Sequence, residues 1–107
     1  MKKSAYSVKT SKIHSIRVLP DRIDWLKNGI PHRTDGPARI FKDGTKSWYK
    51  DGRLHRTDGP AVELEDLAEW WVEGVLHRTD GPAVEFEGNT EWWVKGVKYS
   101  EEEFKIL

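Results

Sequence analysis

Three unchanged copies of one heptapeptide, His-Arg-Thr-Asp-Gly-Pro-Ala, begin at His32, His55 and His77 and constrain this chain more than any other feature. Ahead of each copy stands a segment that opens on Trp and ends in Gly: Trp25–Gly29, Trp48–Gly52 and Trp70–Gly74. A fourth segment, Trp92–Gly96, has no heptapeptide after it and ends the array. The leading Trp residues are 23, 22 and 22 positions apart. A unit this short cannot bury an apolar face alone, so it must stack on its neighbours.

The residues inside each unit point to strands. Val62-Glu63-Leu64-Glu65 and Val84-Glu85-Phe86-Glu87 alternate apolar and acidic side chains, the period of a half-buried strand. The first copy, Arg39-Ile40-Phe41-Lys42, breaks that alternation. Turn residues follow, Asp43-Gly44-Thr45 or Gly88-Asn89-Thr90, and then the Trp segment. Asn28-Gly29 and Asp51-Gly52 are favoured type I′ turn dipeptides, because both central residues take positive φ. The Gly-Pro of the heptapeptide cannot continue a ladder, since Pro has no N–H to donate. Each unit therefore reads as strand, tight turn, strand and short loop. The expected fold is all-β: an antiparallel meander of repeated hairpins, one curled sheet, with a short helix at the C-terminal end.

The boundaries follow from the array. Residues 1–22 form a basic N-terminal segment, 23–98 the hairpin array, and 99–107 a capping helix. Within the first segment, Lys12–Leu19 reads as a capping strand that stops at Pro20, and the residues up to about 11 are expected to be mobile. Ser100 and Glu103 fit a capping box, Ser as N-cap with Glu three residues later. Positive charge gathers early, with Lys2, Lys3, Lys9, Lys12, Arg17 and Arg22 set against Asp21 alone. Glu and Asp dominate the second half, although the chain as a whole is neutral. Overall neutrality argues against a general attraction to nucleic acid or membrane. No Cys is present, which excludes thiolate chemistry. No apolar run approaches a membrane span, and polar residues follow Met1-Lys2-Lys3 where a signal peptide needs an apolar stretch, so a cytoplasmic protein is expected.

His, Arg, Thr and Asp in one motif invite a chemical reading in which Asp orients His as a base and Arg holds an anion. Catalysis needs one asymmetric site, whereas three identical copies answer a need that recurs with every unit. The heptapeptide therefore reads as a structural staple: a sharp Asp-Gly-Pro turn, an Arg–Asp pair, and His packed on a neighbouring Trp. No catalytic residue and no cofactor is expected. A zinc site shared by His32, His55 and His77 fails on distance, because equivalent residues two strands apart lie roughly 10 Å from one another.

All six Trp fall in the array. Trp25, Trp48, Trp70 and Trp92 fill one column, and Leu26, Tyr49, Trp71 and Trp93 fill the next. Adjacent strand residues point to opposite faces. If one column enters the core, the other is either covered by the sheet, the N-terminal segment or a second copy, or it is a binding surface. Tyr49, Trp71 and Trp93 are read as the exposed column, since exposed aromatic patches mark interaction sites.

The heptapeptide followed by a Trp-rich strand and Gly resembles repeats in phage, giant-virus and bacterial proteins that look like variants of the MORN repeat family. The resemblance covers residues 23–98. The Tyr-x-Gly and regularly spaced Gly of true MORN repeats are not present. It implies a hairpin array used as a scaffold or for protein contact, in some relatives as an antitoxin component, and it supplies no functional residues. Trp-Trp-Val-x-Gly is also similar to choline-binding cell-wall repeats, whose aromatic residues cage a quaternary ammonium.

The expectation is thus a non-enzymatic module that binds another protein, for example a phage protein that inhibits a host factor. The alternative is nucleic-acid or nucleotide binding through Arg33, Arg56 and Arg78 with the basic N-terminus, or small-ligand binding in aromatic cages. An open meander also leaves sheet edges through which copies can pair.

Overall fold

A computed structural model describes residues 7–10 and 14–107. The chain is an antiparallel hairpin meander with one short helix among the described residues. β1 (Ser7–Thr10) pairs with β2 (His14–Val18), so part of the stretch expected to be mobile forms a strand. The expected capping strand is β2, and Lys12 and Ile13 lie outside the described residues. β3 (Arg22–Lys27) follows Pro20, pairs with β2 from Ile23 to Lys27, and turns through Asn28-Gly29 into β4 (Ile30–Pro31).

Beyond the first heptapeptide come β5 (Arg39–Phe41) and β6 (Lys46–Ser47), then the arm of β7 (Tyr49–Lys50) and β8 (Arg53–Leu54). Beyond the second come β9 (Val62–Leu64) and β10 (Leu67–Glu69), then the arm of β11 (Trp71–Val72) and β12 (Val75–Leu76). Beyond the third come β13 (Val84–Phe86), β14 (Asn89–Val94) and β15 (Val97–Tyr99), and finally α1 (Glu101–Lys105). Strand order in the 11-stranded sheet is β1-β2-β3-β5-β6-β9-β10-β13-β14-β15, with β4 beside β3. The two central arms stand apart as two-stranded pairs. The sheet is not closed. The first and last Trp arms, β3–β4 and β14–β15, stay within the long sheet.

Turn chemistry explains the reversals. Asn28, Asp51, Glu73, Glu87 and Lys95 have φ near +50°, each followed by a Gly at φ between +79° and +84°. Two successive left-handed residues make a type I′ turn, whose twist matches the strands on either side. Only two of those first positions hold the favoured Asn or Asp; tertiary contacts hold Glu and Lys there in the others. The turn expected over Gly88-Asn89-Thr90 sits at Glu87-Gly88 instead, because Phe86 pairs with Asn89 and Glu85 with Thr90.

The core is thin. Ala38, Ala61 and Ala83, the last residues of the three heptapeptides, have 0% exposure, and among the described residues Leu26 is the one large apolar side chain that is buried. Each Ala donates its N–H to the strand that leads to the next Trp, at Ser47, Glu69 or Glu91. Its carbonyl accepts from Trp25, Trp48 or Trp70 at 2.7 Å. Strands close that tightly over a side chain no larger than methyl. α1 carries the expected capping box: Ser100 Oγ accepts from Glu103 N–H, and Glu103 Oε1 accepts from Ser100 N–H. Its Phe104 ring lies 4.7 Å from that of Trp92. No helix among the described residues is long and apolar enough to cross a membrane. The molecule measures 59 × 25 × 18 Å, elongated for its length.

Replacing Ala61 by Leu should destabilise the chain by about 1–3 kcal/mol in urea denaturation, the usual cost of overpacking. Ala68→Leu, at a half-buried position of the same sheet, should change stability by less than about 0.5 kcal/mol.

Candidate functional site: the arginine clamps and the two aromatic columns

The heptapeptide residues make the same contacts three times. Arg33, Arg56 and Arg78 lie over the rings of Trp25, Trp48 and Trp70, with the guanidinium carbon 4.1, 3.8 and 3.9 Å from the ring centroid. In each, Nε donates to the Asp two residues on, at 3.0, 3.0 and 2.8 Å. Nη1 donates to the Pro carbonyl four residues on, at 3.1 Å in all three. A cation over an indole is held by the ring quadrupole, and the in-plane N–H groups remain free for the charged and carbonyl acceptors. One side chain thus binds its own loop to the preceding strand.

The glycine of the heptapeptide makes room for this. A Cβ on Gly36, Gly59 or Gly81 would stand 2.9, 2.6 or 2.7 Å from the guanidinium carbon. These glycines do not have positive φ, so close approach and not backbone conformation excludes a side chain. His32, His55 and His77 reach forward to the next unit. Each Nδ1 accepts the backbone N–H of a turn residue, Asp51, Glu73 or Lys95, at 2.9–3.0 Å. The backbone N–H of each Arg donates to the carbonyl of Tyr49, Trp71 or Trp93 in the next arm. The expected staple is therefore present in a different form: Arg lies on the Trp, while His caps the neighbouring turn.

Asp35 and Asp80 respond to the same geometry. The hydrogen bond from Arg33 or Arg78, reinforced by its charge, holds each carboxyl below the usual Asp value. Asp43 is lowered chiefly by the Thr45 backbone N–H, and Asp51 chiefly by the hydrogen bond from Lys27. Since the folded values of Asp35 and Asp80 lie below the unfolded one, their contribution to stability is present above the unfolded pKa. It fades as pH falls through the folded value.

The second column is arranged differently. Trp71 Nε1 donates to Glu69 Oε1 and Trp93 Nε1 to Glu91 Oε1, both at 2.9 Å. Arg39 lies over Tyr49 at 5.3 Å. All six Trp and Tyr49 are half-buried, so neither column forms a closed core. Arg33, Arg56 and Arg78 stay together with the first column, and Tyr49, Trp71 and Trp93 line the other face. Clefts of about 500 and 370 Å³ separate successive heptapeptide loops, one lined by Arg33, Tyr49 and Asp58, the other by Thr57, Trp70 and Asp80. Among the described residues, no group of three or more His, Asp or Glu is placed to hold a metal ion.

Sequence reasoning missed one cluster. Asp24, fully buried, accepts a hydrogen bond from Arg22 Nε at 2.9 Å and forms ion pairs with Arg39 Nε at 3.3 Å and Arg17 Nη2 at 3.7 Å. Its position precedes the first Trp, where later units have Ser47, Glu69 and Glu91. That a charged residue stands directly before Trp25, in the unit whose alternation is broken by Arg39, was the available signal. Comparison with protein-family models, curated proteins and solved structures returns no match.

Gly59→Ala should displace Arg56 from Trp48 and cost about 1–3 kcal/mol in thermal or urea unfolding, the usual range for overpacking. Asp80→Asn should flatten the loss of stability on acidification below about pH 4, near the unfolded Asp pKa. Equal pH profiles for the variant and the parent chain would remove the clamp from the account of acid sensitivity.

Proposed function

We propose that this chain is a non-enzymatic, protein-binding repeat module, and that it binds through the sheet face bearing Tyr49, Trp71 and Trp93. One observation supports this reading most. The second aromatic column lies on the same side of the sheet as Leu64, Leu67 and Phe86. Leu64 and Phe86 are 39% and 47% exposed. Half-buried aromatic and apolar side chains in one open plane suit a protein partner.

The polar groups of the heptapeptide are used within the scaffold. Arg33, Arg56 and Arg78 have their ring-facing side on Trp and their donors on Asp and Pro. A phosphate would meet a guanidinium whose Nε and Nη1 are already engaged and whose charge is offset by the adjacent Asp, and a quaternary ammonium would have to displace Arg from the indole. No His and Asp of one heptapeptide converge on a common reacting centre. The hairpin array and its heptapeptide support placing the chain with the MORN-variant repeat proteins as a contact scaffold.

The test is retention on the tagged chain from a nuclease-treated bacterial lysate that also contains the untagged chain. A protein held in stoichiometric amount should be lost with Trp71→Ala/Trp93→Ala, a variant that keeps the clamps. Undiminished retention by that variant would remove the face from the account, and loss of every partner on nuclease treatment would favour nucleic acid.

A further inference from the structure

The strand register sets a single row of side chains across the proposed face. From the N-terminal side it reads Arg17, Asp24, Arg39, Ser47. It continues with Val62, Glu69, Val84, Glu91. Directly paired residues share a face, so these eight stand in line over the strands from β2 to β14. The first half is basic: Arg17 and Arg39, with Arg22 beside them, surround the one buried Asp24, and Asp21 reaches only Arg22. Arg39 Nε is buried without a hydrogen-bond partner. The second half is acidic. Glu69 and Glu91 each give one oxygen to an indole, and among the described residues the cation paired with either is Lys98, on Glu91 at 3.8 Å.

We propose that the partner for this face is a second copy of the chain, packed face to face about a two-fold axis that runs parallel to the strands between β6 and β9. The proposal rests on the reading of this face as the binding face. Such an axis reverses strand order and keeps each row over its own equivalent. Counting outwards from the axis, Arg39 stands over Glu69 and Arg17 over Glu91 of the other copy, while the buried Ser47 and Asp24 lie beneath the contact at the levels of Val62 and Val84. In the adjacent row Phe41 meets Leu67, because Phe41 pairs with Arg22 on the basic side and Leu67 with Leu64 and Phe86 on the other. Both unlike-charge contacts and the apolar contact follow from one symmetry operation. Seven strand spacings span about 34 Å, and most strands of the face are two or three residues long, about 10 Å, so they present on the order of 340 Å² per copy. A standard dimer buries about 800 Å² per partner, so this contact makes a weak, salt-sensitive dimer.

Sedimentation equilibrium of the full chain tests this. The parent chain should dimerise at low salt and dissociate as salt rises, because the end contacts are ionic. Arg17→Glu and Glu91→Arg should each weaken the dimer at least about tenfold, and the two together should restore it to within about threefold. Arg17 lies 3.7 Å from Asp24 with its side chain 44% exposed, and circular dichroism checks that each variant folds. Should Arg17→Glu unfold, Leu64→Lys provides a second disruption at the centre of the face. A monomer up to about 100 µM, a range that detects even weak association, would overturn the dimer, as would a double variant no better than either single. If the chain is monomeric while Trp71→Ala/Trp93→Ala still abolishes retention of another protein, the dimer fails and the binding face stands. If both fail, the face itself is wrong.

Discussion

A guanidinium pressed on an indole is the contact on which the rest of this structure depends. The sheet is a single layer whose buried apolar side chains are three alanines and Leu26, too few to hold loops in place by burial alone. Each Arg supplies what the core does not. It covers the face of the preceding Trp, neutralises an Asp in its own loop, and takes up a Pro carbonyl that would otherwise need water. Gly admits it, and Ala behind it lets the strands close. The heptapeptide is therefore unchanged from copy to copy because its small and large residues occupy one another's space.

The termini show the same requirement met by other means. At the C-terminal end the position of the heptapeptide Arg falls on Ser100, the N-cap of α1, and Phe104 covers Trp92 in place of a cation. At the N-terminal end β2 pairs with β3 from Ile23 to Lys27 and covers the side that a preceding unit would otherwise occupy. There the carboxylate of Asp24 and three arginines fill the place that Glu69 and Glu91 hold in later units. Both ends use charge or a ring to protect a Trp-bearing strand.

Much of the architecture was legible in the sequence, since spacing and turn chemistry are local. The period of the Trp residues gave the meander, the Asn-Gly and Asp-Gly dipeptides gave reversals, and Ser100 with Glu103 gave the helix start. What was not legible is long-range. Glu and Lys at positive-φ positions do not advertise a type I′ turn; at Glu73 and Lys95 the N–H is accepted by His Nδ1 of the preceding unit, and at Glu87 by the Asp66 carbonyl. The assignment of Arg rather than His to the Trp face depends on which side chain can donate two hydrogen bonds while stacked. The burial of Asp24 depends on register across three strands, which no single segment specifies. Tyr49, Trp71 and Trp93 were readable as one column by alternation, whereas the indole bonds of Trp71 and Trp93 to Glu69 and Glu91, and the Arg39 that lies over Tyr49, were not.

The most direct test of this account is a double-mutant cycle on Arg56 and Trp48, measured by urea unfolding of the parent chain, Arg56→Ala, Trp48→Ala and the double variant. If the clamp is what joins loop to strand, the two losses should overlap, with a coupling energy of about 1–2 kcal/mol. Losses that add to within about 0.3 kcal/mol would show that the stacked pair contributes nothing of its own, and that the array is held by its backbone ladders alone.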